Sequence, residues 1–376
     1  MKRTGLPRIL ITLGDVAGIG PEIVLRGWPQ LTQFCVPTIV GDVTSLRRHA
    51  AHLALAREIY PVERPVTQET DATGIPCLQA TDLDLRSVGL AQVHAAAGRA
   101  AFDFVRRAVQ EVSAGRAEGI VTAPLHKEAL ARAGLKYPGH TEMLAELCQV
   151  THYAMMLFAR RTSGVTAPSN DFRDNPPDPA PGRLNGWGVV HVTLHLRLRD
   201  IFEHITTSAV VEKIALLGEL LRRLLGREPR LAVCGLNPHA SDGGLFGDEE
   251  LRLIAPAVQQ AQAYGWHVSG PWPADTLFGR AARGEVDGVV AMYHDQGHIP
   301  FKLLAGFHAV NVTLGLPMVR TSVAHGTAYD IAGRGCADAT SLVEAVRVAA
   351  LLVQSCAGDQ EVSSADRHHA MPVSHA

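Results

Sequence analysis

Aromatic residues are scarce in this chain of 376 residues, at 5%. Positive charge is not in excess either: Lys+Arg 35 stand against Asp+Glu 37, for a formal charge of -2. Without a basic surplus or a basic patch interleaved with aromatics, nucleic acid is excluded as a partner. An anionic ligand would have to be held by local charges. Cysteine is sparse, six residues with no C-x-x-C pair. That excludes a disulfide scaffold and a zinc ribbon and fits a reduced, cytoplasmic protein. Long apolar runs are missing too. The run after the basic start, Ile9 to Leu13, is too short for a signal peptide. No stretch of eighteen residues is continuously apolar, since even the longest run without Asp, Glu, Lys or Arg, 253–274, is broken by glutamines and prolines, so no membrane span is expected.

What is present is apolar mass, 47% of residues, arranged in short runs. The length suits two domains, or one large α/β domain with a second lobe. Strand-like runs alternate with helical ones: Arg8–Leu13, 37–42, 119–123, 153–159, 189–194, 231–236, 288–293 and 310–314. This alternation predicts a mostly parallel sheet with helices on both faces. Helices are expected over about 21–28, 44–58, 90–114, 127–133, 196–226, 249–264 and 340–354. A polar connection is expected between 58 and 90, a turn-rich one over 271–276, and a turn over 315–320. Arg160 to Gly188 is rich in proline and short of apolar residues, and reads as a loop insertion.

The run Gly288-Val-Val-Ala-Met-Tyr-His-Asp-Gln-Gly297 organises the rest. It reads as a buried strand that stops at His294, Asp295 and a Gly turn. Two other strand-like runs also release a histidine at their carboxyl ends, His195 and His239. Along one edge of a parallel sheet, the edge where ligands gather, three neutral imidazoles would suit a divalent metal with positions left open. The competing reading is three separate strand-end histidines, each held by a backbone hydrogen bond. Gly14-Asp-Val-Ala-Gly-Ile-Gly-Pro-Glu22 looks like a phosphate cradle, yet it is neither G-x-G-x-x-G nor a P-loop. A tight strand-to-helix turn accounts for its glycines equally well.

Seven stretches together resemble one family, the 4-hydroxythreonine-4-phosphate dehydrogenases of pyridoxal phosphate biosynthesis (the PdxA family). They are Gly14 to Glu22, Gly139-His-Thr-Glu142, Cys234-Gly-Leu-Asn-Pro-His-Ala240, Pro273-Ala-Asp-Thr276, Met292-Tyr-His-Asp-Gln-Gly297, Asn311-Val-Thr-Leu-Gly-Leu-Pro317 and Arg320-Thr-Ser-Val-x-His-Gly-Thr-Ala328. The resemblance implies a fold like isocitrate and isopropylmalate dehydrogenases, two lobes with a cleft. It implies metal ligands at His195, His239 and His294, drawn from both subunits of a homodimer whose active site lies at the interface. It implies substrate contacts at His140, Thr141, Lys302, Asn311 and Arg320, and a cofactor loop carrying His325, Gly326, Asp330, Gly333 and Gly335. Asp295 and Asp275 are the candidate catalytic carboxylates.

The implied reaction is oxidation of a secondary alcohol on a small anionic hydroxy acid by NAD or NADP. A divalent metal (Zn, Mg, Mn or Co) is required, and decarboxylation follows. The expected lobes are 1–134 plus 305–356 for the cofactor and 135–304 for metal, substrate and dimerisation, with 357–376 a disordered tail. Departures from the family are Leu13 and Val16 in place of prolines, and the 160–188 insertion. The segments His191–His195 and His294–Lys302 resemble the catabolic branches, which act on D-threonate or D-erythronate 4-phosphate or on a terephthalate cis-dihydrodiol. A non-catalytic relative that binds a metal or anion is the alternative of another class.

Overall fold

The computed structural model describes residues 5–68, 73–161 and 183–362. Most of the proline-rich stretch expected as an insertion, and the tail after 362, lie outside the described residues. Twelve strands form one sheet. In chain order they are β1 (Arg8–Thr12), β2 (Val36–Gly41), β3 (Glu58–Val62), β4 (Gly74–Gln79), β5 (Gly119–Thr122), β6 (Ala154–Arg160), β7 (Gly186–His191), β8 (Leu231–Cys234), β9 (Val268–Trp272), β10 (Gly288–Ala291), β11 (Val310–Leu314) and β12 (Val319–Val323). The helices are α1 (Gly20–Leu31), α2 (Val43–His52), α3 (Ala95–Ser113), α4 (Lys127–Arg132), α5 (His140–Leu147), α6 (Thr207–Leu225), α7 (Ala255–Ala263), α8 (Ala274–Ala282), α9 (His294–Ala305) and α10 (Thr340–Val362). Among the described residues, no helix is long and apolar enough to cross a membrane.

The sheet order is β3-β4-β2-β1-β5-β12-β11-β6-β7-β10-β8-β9. It is mostly parallel, as expected. β11 is antiparallel to both its neighbours, β12 and β6, and β6 is antiparallel to β7. The expected adjacency of the runs flanking the proline-rich stretch is therefore realised as β6 beside β7. Side chains alternate across a strand, and that alternation divides the core in two. Val190, Val233 and Val290 join the large core under α6 and α10. Val189, Ala232, Val289 and Ala291 join the smaller core under α8 and α9. Both faces of the sheet are thus covered by helices.

Several elements differ from the sequence reading. The polar connection after α2 contains β3 and β4. β3 has the exposure pattern of a sheet edge, with one residue of five fully buried, so it lacks the apolar run that marks an interior strand. The turn-rich 271–276 stretch holds the end of β9 and the start of α8, and the turn before Arg320 gives way to β12 at Val319. The helix expected from 196 begins only at Thr207. Leu198–Glu203 is a separate 3-10 turn, and the Thr206 hydroxyl caps α6 by accepting from the Ala209 amide at 3.2 Å. Asp200 and Glu203 therefore do not sit in the first turn of α6, although Arg222 and Arg223 do close its last turn, before Gly226 in the left-handed conformation.

At the amino end of β10, Asp287 is fully buried and Arg227 grips both its oxygens, at 2.8 and 2.9 Å. Arg230 donates to it from its side chain and its amide, and Arg161 lies 3.6 Å away. Burial alone would push the pKa of Asp287 up. The two donating arginines override this and hold it well below the ordinary carboxylate range. A group depressed in the fold stabilises it above its unfolded pKa, and that stability is lost as pH falls through the folded value. Asp287→Ala should therefore destabilise the protein by about 3–5 kcal/mol, because three guanidinium groups lose their counter-charge. Urea unfolding at neutral pH measures the loss. The same series run from pH 6 to pH 3 should show a steeper decline for wild type than for Asp287→Asn.

Candidate active site

Three neighbouring parallel strands, β7, β10 and β8, end side by side. Their ends are tied together. From the β7 side, the Thr193 amide and hydroxyl both donate to the Met292 carbonyl, at 3.1 and 2.8 Å. From the β10 side, Gln296 accepts from the Met292 amide at 2.6 Å and donates to the Gly235 carbonyl after β8 at 2.7 Å. The chain after β10 is not the Gly turn expected from the sequence. It enters α9 directly at His294, and Gly297 lies inside that helix. Helical spacing then puts His294, His298 and Lys302 on one face, four residues apart.

His195 and His294 come together, with ring centroids 6.1 Å apart. His239 does not join them. It is exposed, in a turn where residues 239–242 all have φ between 43° and 74°. Left-handed backbone at four successive non-glycine residues costs on the order of 1–2 kcal/mol each. Buried Glu250 holds this turn by accepting from the Leu236 and Asn237 amides, both at 2.7 Å, and from the Asn237 side chain at 2.9 Å. Burial raises the Glu250 pKa, but Asn237 and the amides outweigh it and keep the pKa below the ordinary range. Among the described residues of this one chain, no group of three His, Cys, Asp or Glu side chains is placed to hold a metal ion.

The three histidines share one feature. Each has Nδ1 facing a carboxylate: His195 to Glu142 at 3.2 Å, His294 to Asp295 at 2.7 Å, His239 to Asp242 at 3.1 Å. Such pairing fixes the tautomer and leaves Nε2 free, the arrangement seen around metal-bound imidazoles. The donor set therefore fits a divalent metal, provided His239 is brought to the other two. Asp295 is exposed and takes the place of an orienting carboxylate. Asp275 is exposed in the first turn of α8, which packs against the His239 turn, and it lies outside the cavity lining.

Beside His195 lies a cavity of about 240 Å³. It gathers the expected substrate residues His140, Thr141, Lys302, Asn311 and Arg320, along with His325 and Gly326. Its charged lining is Lys127, Lys302 and Arg320 against one carboxylate, Glu142. Arg320 is only 1% exposed, and its guanidinium donates to two hydroxyls, Thr313 at 2.8 Å and Thr122 at 2.6 Å. No carboxylate accepts from it among the described residues, and its Nε has no partner. Burial lowers its pKa to about 9, so it is still charged at neutral pH. Burial, with Arg320 beside it, also holds His140 well below the usual histidine range and hence neutral. A buried cation without a bonded counter-ion, facing a cavity, is a site for an anion.

The loop 325–335 closes one side. Tyr329 donates to buried Asp15 at 2.6 Å and stacks on His126, which joins this loop to the Gly14–Glu22 turn. The turn packs so closely that a Cβ on Gly18 would meet the Thr327 carbonyl oxygen at 2.8 Å. The Gly14–Glu22 glycines thus serve a tight strand-to-helix turn. Burial raises the Asp15 pKa, with Tyr329 and the Ala17 amide pulling it back. Gly333 and Gly335 have positive φ, and Asp330 is exposed. Beside the cavity, a Cβ on Gly326 would meet no atom within 4 Å, and the buried Nε2 of His325 has no partner. An open glycine next to an unpartnered imidazole fits a cofactor laid against this loop.

The sequence reading assigned no role to Glu142, His191, Lys127, Gln296 or Glu250. Glu142, His191 and Gln296 stand in stretches already singled out, Gly139–Glu142, His191–His195 and Met292–Gly297. Lys127 and Glu250 carried no signal, because the cavity that Lys127 lines and the turn that Glu250 holds exist only in the packed chain. Large apolar residues remain exposed on the segments around the histidines: Leu198, Phe202, Leu245, Phe246, Leu251, Ile299, Leu303 and Phe307, with Leu303 80% and Leu245 74% exposed.

Residues 33–349 match the model of the pyridoxal phosphate biosynthetic protein PdxA. A D-threonate 4-phosphate dehydrogenase of Cupriavidus necator is 42% identical over 352 residues, covering 92% of this chain and 97% of the relative. A 4-hydroxythreonine-4-phosphate dehydrogenase of Beijerinckia indica is 42% identical over 335 residues, covering 89% and 91%. The crystal structure of 4-hydroxythreonine-4-phosphate dehydrogenase from Klebsiella pneumoniae superposes with a TM-score of 0.76 at 38% identity, covering 92% of this chain and 99% of that one.

Inorganic phosphate should raise the melting temperature of the wild type, as any ligand of the folded state does. It should leave Arg320→Met unmoved. That variant should itself melt no lower than wild type, because removing an uncompensated buried charge relieves a desolvation cost. Phosphate affinity of the wild type should fall as pH rises through about 9, where free Arg320 loses its proton. A thermal-shift series over pH and phosphate concentration checks all three.

Proposed function

The chain belongs to the PdxA family and is a dehydrogenase, and from that premise we propose that it oxidises the secondary alcohol of 4-phosphooxy-threonine with NAD or NADP at a divalent metal, with loss of CO2 from the product. The observation that carries this reading is Arg320, buried and charged beside a cavity with no bonded counter-ion. The guanidinium and Lys302 hold the phosphate, the guanidinium as a two-pronged donor. Thr141 adds a hydroxyl. Two unpartnered oxygens in the lining, Glu142 Oε2 and Asn311 Oδ1, accept from the α-ammonium group.

His195 and His294 would hold the metal together with His239 of the partner subunit, which would make the working unit a homodimer. Exposed apolar side chains around all three histidines support this, since burying them is the driving force for association. A divalent metal there supplies Lewis-acid polarisation of the reacting hydroxyl. His325, Gly326 and the loop to Gly335 with Asp330 would hold NAD or NADP, which would supply the hydride acceptor. The chain's own residues position and protect. Glu142, Asp295 and Asp242 fix the histidine tautomers, His140 stays neutral beside Arg320, and Asp275, next to the His239 turn, relays the hydroxyl proton. The keto acid so formed loses its carboxylate as CO2.

A second reading, D-threonate 4-phosphate as substrate, is favoured by the equally similar relative of that name and by His298 in the cavity lining. The deciding assay follows nicotinamide reduction with 4-phosphooxy-threonine, D-threonate 4-phosphate and a terephthalate cis-dihydrodiol in parallel. Turnover of the first alone is the expected result. Turnover of the second alone moves the ammonium contacts to a hydroxyl. Turnover of the dihydrodiol alone reassigns Arg320 to a carboxylate, and no turnover with bound metal makes the chain a non-catalytic relative. Chelation by EDTA should abolish activity, and added Zn, Mg, Mn or Co should restore it. His239→Ala and His294→Ala should each be inactive, yet mixing and refolding the two together should regain activity through one intact site per mixed dimer.

A further inference from the structure

Two histidines, one of them in the cavity lining, make a buried pair. His191 is the last residue of β7 and His298 lies in the second turn of α9. His191 Nε2 and His298 Nδ1 are 3.1 Å apart, and both residues are buried. The His298 ring also stacks on His294, with centroids 3.8 Å apart and planes 10° off parallel. His298 lines the cavity, together with Lys302 one turn further along α9. With Nδ1 taken by His191, its Nε2 is the nitrogen left for the cavity.

Packing alone does not explain this pair. His191 Nδ1 is buried without a partner, which costs about 1–3 kcal/mol. Residue 297 must be glycine, because a Cβ there would collide with His191 Nε2. Glycine inside a helix costs about 1 kcal/mol relative to alanine. Two apolar residues would fill the same space without either cost. What two apolar residues could not supply is a ring nitrogen held in fixed orientation at the cavity wall.

We infer that His298, held in place by His191, is a substrate-contacting residue that hydrogen-bonds an oxygen of the phosphorylated acid through Nε2. His191 is a positioning residue that acts through His298. This rests on the proposed reading of the cavity as the site of a phosphorylated four-carbon acid.

The test is calorimetric binding of 4-phosphooxy-threonine and of D-threonate 4-phosphate to the metal-loaded full chain, with melting temperature and turnover followed in parallel. His298→Leu should weaken binding about tenfold or more, the loss of a hydrogen bond to a charged or strongly polar partner. His298→Gln places an amide nitrogen near the former Nε2 and should recover most of it. His191→Leu should weaken binding in the same direction, and His191→Gln should rescue it. The double variant His191→Leu/His298→Leu should bind no worse than His298→Leu alone, because one residue acts through the other. Wild-type affinity in His298→Leu, or losses that simply add, would overturn the inference. If the wild type binds an acid but does not oxidise it, the proposed reaction fails while the variant series still decides the contact. Binding of neither acid by the wild type overturns the contact along with the reading beneath it.

Discussion

The turn after β10 is held from both sides, and the candidate site depends on that. Thr193 reaches the Met292 carbonyl from β7, and Gln296 bridges the Met292 amide to the Gly235 carbonyl after β8. These bonds satisfy backbone groups that the parallel ladder leaves open where its strands stop. They also decide where α9 begins. Because it begins at His294, the 3.6-residue repeat aims His294, His298 and Lys302 at the same region as His195. One amide side chain thus converts a strand end into a helix face lined with nitrogen donors.

Around that face the protein keeps several arrangements that work against its stability. Arg320 is charged and buried with hydroxyls as its hydrogen-bond partners. Residues 239–242 hold a left-handed turn without glycine. His191 leaves one nitrogen unsatisfied. Each is unfavourable in the isolated fold, and under the proposed function a ligand or a partner chain would offset it. The contrast with Asp287 is instructive. That buried carboxylate sits at the opposite end of β10, is surrounded by donors, and has its charge fully used by the fold. Two buried charges in the same sheet thus serve different ends, and the difference lies in whether a counter-charge is bonded.

The same distinction applies to exposure. Leu303 and Leu245 are more exposed than leucines need to be in a finished surface. Leu303 shares α9 with His298, and Leu245 follows the turn that carries His239. In the proposed homodimer, association and completion of the site would be one event, driven by apolar burial.

Much was legible from sequence. Apolar runs separated by helical stretches specified a mostly parallel sheet covered on both faces, because burial on both sides of a strand demands such runs. His195, His239 and His294 do lie just beyond the ends of β7, β8 and β10, and His140, Thr141, Lys302, Asn311 and Arg320, expected from the family resemblance to contact substrate, stand in stretches that do meet at one cavity. Edge strand β3 was not legible, since half-exposed strands carry no continuous apolar signal. Nor was the helical state of residues 294–305, where glycine and proline argue for a turn but the tied strand ends impose a helix. The separation of His239 from its two counterparts, the carboxylate behind each histidine and the lack of one bonded to Arg320 depend on contacts between residues far apart in the chain. A linear pattern can say that a residue is polar and where its strand ends. Only the packed structure decides which charge is left without a partner.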